Sequence, residues 1–340
     1  MSPGLIVGPQ QISLVRKESM REMEKEILGI HHVTAIAGDP QKNIDFYSGI
    51  LGLRMVKLTV NYDDPTTYHL YYGDEIGHPG TIITFFPWPN APKGRIGTGQ
   101  VTTTSFSIPK SSLSFWMNRL KSNGIAFEGP ISRFDEQALQ FSDYDGLHLE
   151  LVAHDYPDSR KGWKHGPVPL EHAIRGFYHV TLTEEGYQQT ASVLTRLGFR
   201  LTAEHDNQYR YEIGEVGGPS KIVDVLCQPT APPGLVSVGT VHHVAWRTPT
   251  DEQQLSWRSE IAKMGLNVTP VIDRKYFHSI YFREPGGILF EVATDPPGFT
   301  IDQPASELGT RLMLPPWLEP VRSRLEHELP RVNTPKPVPA

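Results

Sequence analysis

Hydrophobic and polar positions repeat one order four times along the chain. A period-two strand is followed by an amphipathic helix that stops at a Gly–apolar pair, then by strands of which the last opens on Gly or a small residue. The first unit begins at "GIHHVTAIAGDP". Its helix "NIDFYSGILGL" places Ile44, Tyr47 and Leu51 on one stripe before Gly52. The second begins at "VTTTSFSIP", with a helix "SLSFWMNRLKSNGI" that stops at Gly124. The third, from "GFYHVTLTEEG", closes its helix at Leu197–Gly198–Phe199, and the fourth, from "GTVHHVAWRTP", at Met264–Gly265–Leu266. The closing strands read "GTIIT", "GLHLE", "SKIVD" and "GGILFE". From opening to closing position the intervals are 52, 47, 45 and 48 residues, close enough for four copies of one βαβββ unit.

A single such unit leaves one face of a short curled sheet uncovered, so two must pair to close a half-barrel around a cavity. The predicted fold is therefore α+β, with four βαβββ modules forming two half-barrel domains. The expected boundaries are an extension over 1–27, a first domain over 28–155 (modules 28–92 and 100–155) and a linker over 156–172. A second domain over 173–300 (modules 173–230 and 238–300) and a tail over 301–340 complete the chain. The Pro- and Gly-containing stretch "YPDSRKGWKHGPVPL" marks the linker. The tail is expected to hold one short helix, "EPVRSRLEHEL", ahead of an ending too Pro-rich to pack. The opening extension is expected to be loosely attached.

Superposing the units asks which side chains share a cavity mouth. The opening strands offer His32, Thr103, His179 and His243, and the closing strands Thr84, Glu150, Asp224 and Glu291. Strict alternation would turn Ile30, His32 and Thr34 inward with Val241, His243 and Ala245, leaving His31 and His242 on the opposite face unless a β-bulge turns them inward. A lone strand histidine is commonly just a hydrogen-bonded structural residue. Glu291 within "ILFEVA" is harder to dismiss, because an unpaired buried carboxylate is costly and calls for a metal or a cation. If neighbouring units pair, the set is His179, Asp224, His243 and Glu291. If the outer units pair, it is His32, Thr84, His243 and Glu291. The latter amounts to two histidines, one carboxylate and open positions, the facial triad of non-haem Fe(II) enzymes. Spacing alone leaves both open. His69 reads as a core or hydrogen-bonded strand residue, Asp63–Asp64–Pro65 as a turn, and the second cluster around His148 and Glu150 as a degenerate copy.

Composition narrows the partners. The formal net charge is −6 and the 32 basic residues form no block, which argues against nucleic acid. No apolar run approaches the roughly 18 residues of a membrane helix, and the first 27 residues show no signal-peptide pattern. Cys227 is the only cysteine, so an intrachain disulfide and a cysteine-based zinc site are excluded. A cytoplasmic protein, compatible with a homo-oligomer, is expected.

The segment running from "GIHHVTAIAGDP" through "GTIITFFPWP", together with "VHHVAWRT" and "DRKYFHSIYFREPGGILFEVATDPPGF", resembles the hydroquinone-cleaving dioxygenases of the vicinal-oxygen-chelate (glyoxalase/bleomycin-resistance) superfamily. The resemblance spans roughly residues 28 to 313. It implies pairing of modules 1 and 4, and hence of 2 and 3. It also implies Fe(II), with Mn(II) as the alternative, held by His32, His243 and Glu291. His31, Thr34, His242 and Tyr281 would then stand beside a small aromatic substrate that reacts with O₂. Relatives acting on chlorinated rings carry a longer loop after "DRK", with an arginine that reaches the substrate. Here "DRK" runs straight into Tyr276–Phe277, so no residue is expected to match that arginine, and Arg274 and His278 are weak substitutes. Two rival readings are a glyoxalase-like lyase or isomerase, which wants a fourth ligand that Thr84 cannot supply, and a metal-free small-molecule binding protein.

Overall fold

A computed structural model describes residues 25–335. The four repeats are present. The first holds β1 (Ile30–Ala37), α1 (Pro40–Ile44), β2 (Arg54–Val60), β3 (Tyr68–Gly73) and β4 (Ile82–Pro87). The second holds β5 (Gln100–Ile108), α2 (Leu113–Ser122), β6 (Phe127–Arg133), β7 (Glu136–Ser142) and β8 (His148–Ala153). The third runs through β9 (Gly176–Glu184), α3 (Gln188–Arg196), β10 (Arg200–His205), β11 (Gln208–Glu212) and β12 (Ile222–Cys227). The fourth runs through β13 (Thr240–Thr248), α4 (Asp251–Lys263), β14 (Ile272–Asp273), β15 (Phe277–Arg283) and β16 (Leu289–Pro297).

Each helix ends where a glycine can enter the left-handed region: Gly52, Gly124, Gly198 and Gly265 all have φ between +70° and +98°. The first helix departs from the expected regular stripe. Asp39 caps α1 through Lys42 N, and the chain then widens into a π-helical turn over Asp45–Ile50. Ile44, Tyr47 and Leu51 are nevertheless all buried. The cap of α4 is Thr250, and Gln254 from that helix donates to the carbonyls of His278 and Val292, fixing the helix against its sheet.

Two eight-stranded sheets form, in the orders β14-β15-β16-β13-β1-β4-β3-β2 and β10-β11-β12-β9-β5-β8-β7-β6. β1 runs antiparallel to β13, and β5 antiparallel to β9. Modules 1 and 4 therefore share one curled half-barrel and modules 2 and 3 the other. Apolar residues of both sheets, among them Val33, Val244, Phe106 and Val180, join Trp116, Leu194 and Trp257 from the helices in one continuous core.

Beyond β16 the chain wraps the first half-barrel. Met313 N donates to Leu58 O, and α5 (Arg322–Glu328) buries Leu325. The expectation that the Pro-rich ending does not pack needs correction as far as it is described. Pro330 O accepts from the Tyr68 hydroxyl, Val332 packs on the core, and Asn333 N donates to Gln41. Of the opening extension, residues 1–24 lie outside the described part. Ile27 is buried, and Glu26 O accepts from Trp257 and Thr248.

Candidate metal centre

Two β-bulges set the site. Along the β1–β13 ladder, Ile30 faces Trp246 and His32 faces Ala245, so His31 is an extra residue on β1. Thr34 faces His243 and Ala35 faces Val241, so His242 is an extra residue on β13. Strict alternation fails at both places. Ile30 and Val241, expected inward, pack in the outer core with Val33 and Val244. His31 and His242, expected on the far face, instead turn their rings to His32 and His243. The Nδ1–Nδ1 contacts are 2.9 Å for His31–His32 and 2.7 Å for His242–His243.

The His31 contacts fix which nitrogen of His32 is bare. His31 Nε2 lies 3.1 Å from Thr294 O, and a carbonyl can only accept, so Nε2 carries the proton. Burial, reinforced by His32, holds the His31 imidazole well below its usual range, so its Nδ1 is an unprotonated acceptor. His32 must then donate from Nδ1 and present a bare Nε2. Burial, with His243 beside it, lowers His242 to about 3, so it too stays neutral. With His243 donating from Nδ1 across the 2.7 Å contact, its Nε2 would be bare in the same way.

Those two nitrogens converge on one carboxylate oxygen. Glu291 Oε2 is 3.3 Å from His32 Nε2 and 3.0 Å from His243 Nε2, while the two nitrogens are 3.4 Å apart. Burial would raise the Glu291 carboxyl, but the adjacent His32 and His243 hold it well below the ordinary range. Ser279 donates to Oε1, whereas Oε2 is buried without a hydrogen-bond partner. Three electron-pair donors at this spacing repel unless a cation lies between them. Neighbouring ligand atoms on one small divalent ion are about 3 Å apart, given metal–ligand distances of roughly 2.0–2.2 Å. The residues fit a metal ion. Among the described residues they form the one cluster of three or more His, Cys or carboxylate groups with this geometry.

His32 and His243 line a cavity of ≈260 Å³ walled by Tyr62, Phe86, Trp88, Phe277 and Leu289, with Glu291 buried behind them. Thr34 and Tyr281 line it, as do His242, His69 and Arg274. His31 lies behind His32, held between Thr294 and Phe277. Burial, with Glu291 nearby, pushes the Tyr281 phenol up, so it stays protonated. Arg274, expected to be only a weak substitute for the relatives' loop arginine, lines the cavity. Lys275 adopts φ +70° and its N–H is taken by Asp273 Oδ1, so a tight turn projects Arg274 inward without a longer loop. Its Nε donates to Tyr281 Oη at 3.1 Å and its Nη1 to Asp63 at 3.0 Å. His278 points away, to Asp251. His69 is hydrogen-bonded, as expected of a strand residue, but its place in the cavity wall gave no signal in the sequence. Asp64 caps the expected turn through Thr66 and Thr67.

The second half-barrel carries the degenerate copy. Arg133 Nη2 stands 2.7 Å from His179 Nε2 and also pairs with Glu150. Arg210 bridges Asp224 and Glu136. Glu150 and Asp224 are thus neutralised by guanidinium groups, and His148, two residues from Glu150, is exposed.

Comparison with known proteins agrees with this geometry. The sequence model of the Glyoxalase/Bleomycin resistance protein/Dioxygenase superfamily matches residues 29–151 and 176–292. MhqO of Bacillus subtilis, provisionally named a ring-cleaving dioxygenase, is 48% identical over 309 residues, covering 90% of this chain and 97% of that protein. The chlorohydroquinone/hydroquinone 1,2-dioxygenase of Sphingobium indicum is 34% identical over 315 residues, covering 90% and 97%. A crystal structure of a Bacillus subtilis protein provisionally named a dioxygenase superposes with a TM-score of 0.87 at 46% identity, covering 92% of this chain and 99% of that one. The fold and the His–His–Glu cluster define a vicinal-oxygen-chelate protein with a metal site. The chain belongs to the glyoxalase/bleomycin resistance/dioxygenase superfamily.

Proposed function

We propose that this chain is an Fe(II)-dependent dioxygenase that cleaves the ring of hydroquinone-type substrates with O₂, with Mn(II) as the alternative metal. The observation that carries the proposal is the set of three unshared donor atoms, 3.0–3.4 Å apart, beside an aromatic-walled cavity. The names of the relatives, ring-cleaving and hydroquinone dioxygenases, support the substrate class. His32, His243 and Glu291 would hold the metal, which when bound brings an aromatic hydroxyl and O₂ together and passes electrons between them.

The protein's own part is positioning and proton control. His31 and His242 hold the tautomers of the two ligand rings. Ser279 orients Glu291. Tyr281, kept protonated, donates to a substrate oxygen, and Arg274 holds that phenol in place. Thr34 offers a hydroxyl beside His32. The aromatic walls stack on the ring. With Arg274 in the cavity, the sequence-based ground for doubting chlorinated substrates no longer applies. The lyase reading wants a second carboxylate, and Thr84 instead spends its hydroxyl on Thr34 and His69.

The test is anaerobic reconstitution with Fe(II), Mn(II), Ni(II) or Zn(II), followed by O₂ uptake with hydroquinones, catechols and methylglyoxal–thiol adducts. Uptake with hydroquinones, restored best by Fe(II), is expected. Turnover of the thiol adduct with Ni(II) or Zn(II) and no O₂ uptake would overturn the proposal.

A further inference from the structure

The cavity wall carries a continuous row of exchangeable protons that the ligand set does not use. Thr34 Oγ1 lies 2.9 Å from Thr84 Oγ1, which lies 2.8 Å from His69 Nε2. His69 Nδ1 lies 2.9 Å from the Tyr71 hydroxyl. Thr34 is in β1, two residues from His32 and opposite His243 in the ladder. Thr84 is its parallel partner in β4, and β3 supplies both His69 and Tyr71. Thr34, His69 and Tyr71 all line the cavity, so the row runs along its wall from beside the metal cluster. Each member can accept one proton while giving up another, and a neutral imidazole does so through two different nitrogens.

We propose that His69 is a positioning residue that relays the proton released by the substrate hydroxyl from Thr34 to Tyr71. This inference rests on the proposed dioxygenase reading, because it needs an aromatic hydroxyl that ionises as it binds. In the starting polarity Thr34 donates to Thr84, Thr84 to His69 Nε2, and His69 Nδ1–H to the Tyr71 oxygen. The substrate O–H bond breaks and its proton goes to Thr34 Oγ1. Thr34 passes its own proton to Thr84, Thr84 to Nε2, and Nδ1 to the Tyr71 oxygen, whose former proton leaves to water in the cavity that Tyr71 lines. One proton moves from substrate to solvent, every protein group ends neutral, and all the hydrogen bonds of the row are reversed. The next proton must be preceded by a return of the row to its first polarity, which the rotating hydroxyls and a second imidazole tautomer permit.

The relay separates from a structural role by one substitution. In His69→Gln the amide oxygen accepts from Thr84 and the amide N–H donates to Tyr71, so both hydrogen bonds survive, but an amide does not pass a proton from oxygen to nitrogen. The probe is nitrohydroquinone, whose ionised form absorbs in the visible, mixed anaerobically with the Fe(II)-loaded chain so that no turnover occurs. Appearance of the phenolate is followed by stopped flow in H₂O and D₂O. The expected result is that His69→Gln and Tyr71→Phe bind the probe within about threefold of wild type and ionise it at least about tenfold more slowly, with a changed solvent isotope effect, an effect within the usual span of acid–base assistance. A His69→Gln protein that ionises the probe as fast as wild type would overturn the relay, whether or not His69→Phe is slow, since a slow Phe variant rescued by Gln marks a structural hydrogen bond. A wild-type protein that binds no nitrohydroquinone, or never ionises it, would sink the functional reading first and the relay with it. That outcome is visible before any variant is made.

Discussion

Removing the ring nitrogens of His31 should weaken metal binding although His31 touches no metal. In His31→Phe the packing against Phe277, with ring centroids 5.0 Å apart, is largely kept. What is lost is the acceptor 2.9 Å from His32 Nδ1 and the donor 3.1 Å from Thr294 O. Without that acceptor, His32 has no reason to keep its proton on Nδ1 and can turn a protonated Nε2 toward Glu291. Groups that orient a metal-bound histidine typically contribute 10–100-fold in affinity, or about 1.4–2.7 kcal/mol. The orphaned Thr294 carbonyl adds a separate stability loss of about 1–3 kcal/mol. His31→Asn supplies a side-chain oxygen near the old Nδ1 position and should recover most of the affinity. The assay is anaerobic competition for Fe(II) against a chromophoric chelator, with thermal unfolding of the metal-free protein run alongside. A Phe variant that holds metal as tightly as wild type would refute the tautomer argument. So would an Asn variant as weak as Phe.

Three further outcomes follow from the same geometry. Arg274→Ala should raise KM for hydroquinone about tenfold by freeing the Tyr281 phenol. Asp63→Asn, on the exposed side of the same contact, should change it by less than about threefold, as surface ion pairs contribute little; steady-state kinetics decide. Arg133→Met should lower stability by roughly 3–5 kcal/mol, because Glu150 is left buried without its cation, while Fe(II) content stays at the wild-type level. Burial and the charge of Glu284 raise the Glu184 carboxyl to about 8. A group raised on folding stabilises most below its unfolded value and loses that contribution as pH climbs through the folded one. Wild-type melting temperature should therefore fall between mildly acidic pH and about 8, and Glu184→Gln should flatten that fall.

Much of this was legible in the sequence. The four repeats announced themselves through strand alternation and helix-ending glycines, because both patterns are local. Pairing of the outer modules was not local. The two assignments of the site around His243 and Glu291 had equal standing by spacing, and only the family resemblance separated them before the β1–β13 ladder did. Whether bulges form could not be read, because one extra residue per strand leaves no mark on a period-two pattern, yet they bring His31 and His242 to the ligand rings and send Ile30 and Val241 into the core with Val33 and Val244. Arg274 was undervalued for a similar reason. Loop length made Arg274 look like only a weak substitute, whereas a left-handed residue at Lys275 reverses the chain within the turn. His69 carries no motif at all, and its meaning comes from Thr84 on β4, and through it Thr34 on β1, which only the folded sheet brings to it.

Modules 1 and 4 build the proposed metal site, while modules 2 and 3 keep a copy closed by arginines. His32 and His179 test it directly, since each opens a repeat and each is followed by Val-Thr. The measurement is Fe(II) content and O₂ uptake with hydroquinone for His32→Ala and His179→Ala, with circular dichroism as the folding control. His32→Ala is predicted to fold without metal or activity, and His179→Ala to keep both. A folded His179→Ala protein without metal, beside an active His32→Ala protein, would contradict the account and move the site to the third and fourth modules.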